Sequence, residues 1–309
     1  MDISEICIYE ESMKIAFVIL NYNTFQETKE CILSIENKID TQDYRIIIVD
    51  NQSRDDSADK VAKFIQQREK AVLIRNSENL GFAKGNNVGI AYANKNFKPE
   101  YMVVLNSDTE LMQDNLVETL DKEYKKSGFA LLGPLILTAD GRCDNSPHFP
   151  PTIDHVRAEL RIIEKEKRII RHGLYRPYCG IRFFKNLIQR KVFKRNVPVH
   201  RNMEFYQYQK QVVLQGCFIV FSEKAFNYVE GFDDRTFLYY EEPILYLNLM
   251  KHDLVTVYDP EIVIYHKDGR STNAVAKKSR DKMLFINRCY QQSANILLDI
   301  LKETYKGGR

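Results

Sequence analysis

Residues 14–55, KIAFVILNYNTFQETKECILSIENKIDTQDYRIIIVDNQSRD, set two patterns side by side. Ile15–Leu20 is an unbroken apolar run, as in a strand covered on both faces. Thr24–Glu36 carries helical spacing, and Arg45–Val49 is a second apolar run that stops at Asp50-Asn51. The alternation continues outward. Asp56–Arg68 reads as helix, Ala71–Ile74 as strand, Phe82–Asn94 as helix, Tyr101–Leu105 as strand and Asp114–Lys126 as helix. Strands alternating with helices predict an α/β fold, a parallel sheet with right-handed crossovers.

Past Phe149 the character changes. Val156–Arg201 holds 14 Lys and Arg against three Glu, which leaves 31 basic and 39 acidic residues elsewhere. The formal charge of +3 therefore hides a strongly basic insert at about 149–210. The globular pattern resumes with a strand-like Val212–Phe221, a helical Glu241–Met250, strands at Val255–Tyr258 and Ile262–Tyr265, and a helical tail over Val275–Tyr305. This divides the chain into a catalytic unit over 1–272 and a helical extension over 273–309. The cysteines (Cys7, Cys31, Cys143, Cys179, Cys217, Cys289) form no C-x-x-C pair, so a reduced, cytoplasmic setting is expected. Residues 1–12 are acidic and read as an extension ahead of a start at Met13, not as a secretory signal. No apolar run reaches the roughly 18 residues of a spanning helix.

Polar residues gather just past the strand ends, where open parallel sheets bind ligands. They are Asn21-Tyr22-Asn23, Asp50-Asn51 and Asn106-Ser107-Asp108. Any one of them would serve equally as a turn or helix cap; three on one edge favour a site. Asn79-Leu80-Gly81-Phe82-Ala83-Lys84-Gly85-Asn86 opens a helix with glycines and a lysine, suited to an anion but without P-loop spacing. Asp108 offers a carboxylate to Mg²⁺ or Mn²⁺. Glu241 and Glu242 open a helix ahead of Pro243, so one can cap while the other acts as a general base. His266 follows a strand and is either a metal ligand or structural, with Lys267 or Arg270 as phosphate partners.

FVILNYNT, IIIVDNQSRDDS, NSENLGFAKGNNVGIAYA, VVLNSDTEL, LQGCFIVFS and GFDDRTFLYYEE, then HKDGRST, resemble in this order the family 2 glycosyltransferases. The resemblance is closest to bacterial rhamnosyltransferases of surface polysaccharide assembly, and it covers about Lys14–Leu137 and Gln211–Thr272. It implies a GT-A fold, a Rossmann-like, mostly parallel sheet flanked by helices. It also implies an inverting single displacement on a nucleoside-diphosphate sugar, dTDP-L-rhamnose before UDP-hexoses. Asp50 would contact the base, and Asn79, Gly81, Phe82 and Asn86 would line the donor pocket beside Asn21, Asn23, Asn51 and Asn106. Asp108 would hold the metal, helped by His266, and Glu242 would be the base with Glu241 its rival. Asn106 stands where the family has its first metal acid, and Glu242 where Asp is usual.

Ile181–Arg195 mixes basic with aromatic and aliphatic residues and could lie on an anionic bilayer. That predicts peripheral attachment at the inner face of the cell membrane and a lipid-linked glycan acceptor. The same composition fits a solvated helical excursion. No nucleic-acid motif is present. A nucleotidyltransferase is the rival enzyme, but Asn21-Tyr22-Asn23-Thr24 lacks its Gly-rich signature. A non-catalytic glycan- or membrane-binding relative is the other alternative.

Overall fold

A computed structural model of the chain describes residues 13–138, 143, 147–174, 177–178, 203–267 and 280–306. The amphipathic stretch 181–195, residues 1–12 and Arg270 lie outside the described residues.

The first half follows its periodicity. Strands β1 (Ile15–Asn21), β2 (Tyr44–Asp50), β3 (Ala71–Arg75) and β4 (Tyr101–Asn106) lie parallel in the order β3-β2-β1-β4. Their runs are apolar throughout because both faces are covered. Ile15, Phe17 and Ile19 enter one core with Ile46 and Ile48, and Ala16 and Val18 enter another with Ile47 and Val49. Each fully buried side chain of this size stabilises by about 1.5–3 kcal/mol. Helix α1 (Phe25–Lys38) puts Thr28, Cys31, Ile32 and Ile35, one face of a helix, against the first core. Helix α2 (Ser57–Ile65) packs beside α1 through Val61, and α3 (Gly81–Asn96) covers the opposite face with Ala83, Ile90 and Ala93.

The sheet then changes direction. Short β5 (Thr109–Leu111) is followed by α4 (Leu116–Ser127), β6 (Leu131–Thr138) and the long α5 (Ile153–Arg171). After β7 (Gln209–Lys210) and β8 (Phe218–Ser222) come α6 (Glu241–Met250), β9 (Thr256–His266) and α7 (Arg280–Lys306). Strand order is β3-β2-β1-β4-β8-β6-β9-β5, with β7 also on β9. β8 runs antiparallel to both β4 and β6, so the sheet is mixed.

Two expectations need correction here. The run Val212–Phe221 is not one strand: only Phe218–Ser222 joins the sheet. Val212 and Leu214 turn into one core and Val213 into a different one, and Gln211 sits at φ 56. The runs Val255–Tyr258 and Ile262–Tyr265 are one strand. Pro260 lies in a bulge where the β6 register jumps from Pro134↔Asp259 to Leu135↔Val263, since proline is tolerated in a strand where no ladder bond is needed. The tail helix α7 is fastened to the rest. Ala294, Leu297, Leu298, Ile300 and Leu301 share a core with Val156 of α5 and with Ile244, Tyr246 and Leu247 of α6.

Candidate active site

Strand register places the polar ends together: Asn21 lies opposite Asp50, and Leu20 opposite Asn106. Asn21 is fully buried and spends its amide internally. Its Nδ2 donates to Asp50 Oδ1 (2.6 Å) and Ser53 Oγ (3.2 Å), and its Oδ1 accepts from the hydroxyls of Thr24 (3.2 Å) and Thr28 (2.8 Å). Thr24 Oγ1 also meets Ser107 Oγ at 3.0 Å, which links the ends of β1 and β4. Asp50 further accepts from Ser53 N (3.0 Å) and Ser53 Oγ (2.6 Å). Asn23, at φ 57, accepts from Arg54 N at 2.7 Å.

Asn51 is equally committed. Its Nδ2 donates to Asn79 Oδ1 (3.1 Å) and Gly81 O (3.0 Å), and its Oδ1 accepts from Asn76 Nδ2 (3.1 Å) and Leu80 N (3.0 Å). Asn21 and Asn51 are thus braces of the crevice wall, with their amides turned inward. Gly81 has φ +78, and a Cβ there would fall 2.3 Å from Phe237 O, the carbonyl that accepts from Phe82 N at 2.8 Å. Only glycine permits that approach. Phe82 packs edge-on against Phe232 (5.3 Å). Asn86 Nδ2 donates to Phe82 O (3.0 Å), while its buried Oδ1 meets no donor.

Asp108 lies beyond β4 and has no solvent exposure, and neither carboxylate oxygen receives a hydrogen bond. His266 Nε2 stands 3.2 Å from Oδ1, close enough for an ion pair but off hydrogen-bond alignment. The β5–β9 ladder creates this proximity, pairing Thr109 with His266 and Asp108 O with Lys267 N (2.9 Å). An uncompensated buried carboxylate costs on the order of several kcal/mol. Two orphan oxygens beside an imidazole nitrogen are a donor set that fits a hard divalent cation. Among the described residues no group of three His, Cys, Asp or Glu side chains gathers, so within them the candidate donors are this pair. Lys267 does not face a phosphate: its ammonium pairs with Glu30 and with Glu110 (2.5 Å).

The glutamates reach the same edge through backbone links. Asn106 N donates to Cys217 O (2.9 Å), and the neighbouring Gly216 N donates to Glu242 Oε1 (3.1 Å). Burial pushes the Glu241 carboxyl up, and the adjacent Glu242 charge adds to the shift. Burial raises Glu242 as well, against the pull of the Gly216 N–H. Glu241 is 3% exposed and its Oε1 has no donor, whereas Glu242 is only half-buried. Just ahead of them Tyr239 (φ 77) and Tyr240 (φ 65) are both left-handed, a conformation costing about 1–2 kcal/mol per residue. A groove of about 890 Å³ lies elsewhere. It runs between α3 and α6 past Lys84, Tyr228 and Lys251 and includes none of the four site residues Asp108, Glu241, Glu242 and His266.

Sequence reasoning missed Ser53, Thr24 and Thr28 as braces, Gly216 as the seat of Glu242, and the Tyr239–Tyr240 pair. All but Thr28 sat in quoted motifs, but residue type alone did not announce their roles, which depend on partners elsewhere in the chain.

The model of the glycosyl transferase family 2 matches residues 16–229, more than half of the chain. The chain belongs to glycosyltransferase family 2. Among curated relatives, glycosyltransferase GlyG of Streptococcus pneumoniae is 30% identical over 112 residues, 36% of this chain and 35% of that protein. The poly(ribitol-phosphate) beta-glucosyltransferase of Bacillus spizizenii is 31% identical over 124 residues, 40% of this chain and 19% of its own length. The low-salt glycan biosynthesis hexosyltransferase Agl10 of Haloferax volcanii is 23% identical over 143 residues, covering 44% and 43%. The chain thus spans less than half the length of each. In fold it is similar to S. aureus TarS 1-349 in complex with UDP-GlcNAc, at TM-score 0.53 and 11% identity, covering 96% of this chain and 73% of that one. GalNAc-T7 with UDP, GalNAc and Mn²⁺ gives TM-score 0.53 at 12% identity, covering 84% and 44%. The α/β architecture of this family 2 member is that of GT-A glycosyltransferases.

Proposed function

We propose that this chain moves a sugar, with inversion, from a nucleoside-diphosphate sugar to a hydroxyl of a lipid-linked glycan in cell-surface polysaccharide synthesis. One observation carries the reading. The buried acceptor atoms without donors are both oxygens of Asp108, Asn86 Oδ1, Glu241 Oε1 and, apart from these, only Gln211 Oε1 among the described residues. All but Gln211 belong to the carboxyl edge of the sheet, where such folds take ligands.

Asp108 and His266 would hold Mg²⁺ or Mn²⁺, with diphosphate oxygens and water as the remaining ligands. When bound, the ion neutralises charge developing on the departing diphosphate. Asp50 and the half-buried amide of Asn79 face the nucleotide. The first turns of α3, from Gly81 to Asn86, and the amide of Asn106 flank the sugar diphosphate. Glu242, fixed through one oxygen by Gly216, takes the acceptor hydroxyl proton on the other. The hydroxyl oxygen bonds the anomeric carbon as the bond to diphosphate breaks, and the diphosphate leaves with the electron pair. Burial raises both carboxyls, so a proton held by the pair at Glu241 would spare Glu242 a second negative neighbour. Motif resemblance puts dTDP-L-rhamnose first among donors. It puts UDP-hexoses next, and relatives named as a beta-glucosyltransferase and a hexosyltransferase are in line with a hexose donor.

Among the described residues no helix is long and apolar enough to cross a membrane. Helix α5 turns Arg157, Arg161, Lys165 and Arg168 to solvent, with Ile162 59% exposed between them. That stripe supports peripheral attachment to an anionic membrane surface, at about 1 kcal/mol per basic residue. Co-sedimentation with anionic vesicles, lost at high salt and absent with neutral vesicles, is the expected result. Equal recovery from both would sink the membrane proposal.

The function is tested by incubating the protein with Mn²⁺ or Mg²⁺, a donor panel and lipid-linked acceptors, and measuring nucleoside diphosphate release. Release from one donor, abolished by Asp108→Ala and by Glu242→Gln, is expected. Donor binding without release under every condition would point to the non-catalytic relative.

A further inference from the structure

The matched family span ends at residue 229, ahead of both glutamates and of all of α7. Yet α7 grips the segment that presents those glutamates at four places. Gln292 Nε2 donates to Arg235 O (2.9 Å), and Ser293 Oγ donates to Leu238 O (3.0 Å). Phe285 meets Phe237 edge to face at 5.7 Å. Tyr290 stacks flat on Tyr239, with centroids 3.6 Å apart and planes at 9°, and turns its edge to Tyr240 at 5.9 Å.

These contacts fall on the least relaxed part of the chain. Two successive non-glycine residues at positive φ persist only where their surroundings hold them. Tyr290 touches both rings, and α5 adds a carboxylate from Glu159 to the Tyr240 hydroxyl. Helix α6 starts at the next residue, and Ile244 N donates back to Tyr240 O (3.2 Å). The direction in which Glu242 leaves the backbone therefore follows from the Tyr239–Tyr240 conformation. The same segment touches the donor loop, because Phe237 O accepts from Phe82 N.

We propose that Tyr290 is a positioning residue: by clamping Tyr239 and Tyr240 it aims Glu242 at the acceptor hydroxyl. This rests on the glycosyltransferase reading above. The aromatic face carries the effect, so the phenol hydroxyl is dispensable.

The test compares Tyr290→Phe, Tyr290→Ala and Tyr290→Leu for kcat, donor KM, the pH dependence of kcat, and amide hydrogen exchange over residues 236–244. The Phe variant should stay within about twofold of wild type. The Ala and Leu variants should lose about tenfold or more in kcat and keep donor KM within about threefold. They should also shift the acidic limb of the pH profile and speed exchange in that segment. The Leu variant fills the volume and covers the case in which Ala fails to fold. Wild-type kcat, pH profile and exchange in Ala or Leu would overturn the proposal, as would an equal loss in Phe. A wild-type protein that releases no diphosphate from any donor would instead overturn the glycosyltransferase reading, and the aiming of a base with it.

Discussion

A Cβ placed on Gly216 would lie 2.2 Å from Glu242 Oε1 and 3.0 Å from its Cδ, so Gly216→Ala forces the carboxylate to move. Restoring an ordinary contact requires a shift of about 1 Å, enough to cost on the order of a hundredfold when the group must meet a reacting hydroxyl in line. A hundredfold corresponds to about 2.7 kcal/mol of transition-state stabilisation. The bond from Gly216 N to Glu242 Oε1 at 3.1 Å would be strained by the same movement. Donor binding should survive, because Asn79 is held by Asn51 and by Gly81 N, and Asp108 stands against His266. The assay is steady-state transfer with a fixed acceptor and varied donor, beside a thermal melt to show that the variant folds. Adding Glu242→Asp, one methylene shorter, should recover part of the loss, since the carboxylate then withdraws from the new methyl. A folded Gly216→Ala enzyme with wild-type kcat would refute the assignment of Glu242 as base.

Asp108→Asn should abolish transfer yet raise the melting temperature in chelator by a few degrees, because it removes a buried carboxylate that receives no hydrogen bond and has only His266 Nε2, 3.2 Å away, beside it; a marked fall in melting temperature would contradict that account. Glu241 has a folded pKa above its unfolded value, so it stabilises fully at acidic pH and loses that contribution as pH rises from the ordinary carboxylate range through the raised value. Glu241→Gln should therefore flatten the decline of stability with pH over that window, as measured by denaturant melts at several pH values; an unchanged slope would count against a buried, protonated Glu241.

The parallel half of the sheet was legible because its signal is local. Ile15–Leu20 and Arg45–Val49 are apolar throughout for the simple reason that both faces are covered. The polar strand ends followed from the same pattern. The antiparallel half was not legible in this way. β5 is only three residues long, and Pro134 interrupts the pattern of β6. Val212–Leu214 are apolar because they fill two separate cores, and their backbone is paired outside the sheet, by the isolated bridge of Val213 to His148. At the candidate site, residue types singled out Asp108 and the two glutamates as candidates, but the commitment of Asn21 and Asn51 to internal bonds depends on partners about 30 positions away. Lys267 was misread for the same reason, since Glu30 is distant in sequence.

The packing of α7 onto α5 and α6 also has a consequence for biosynthesis. Domains made on the ribosome organise from the N-terminus as they emerge, so β1 to β4 and the donor loop can assemble early. The rings and hydroxyls that hold the Tyr239–Tyr240 segment come from positions 285–293, about fifty residues further along the chain. On the roles proposed above, a nascent chain still lacking α7 would hold the candidate donor crevice without a clamped Tyr239–Tyr240 segment, and transfer would begin once α7 had docked.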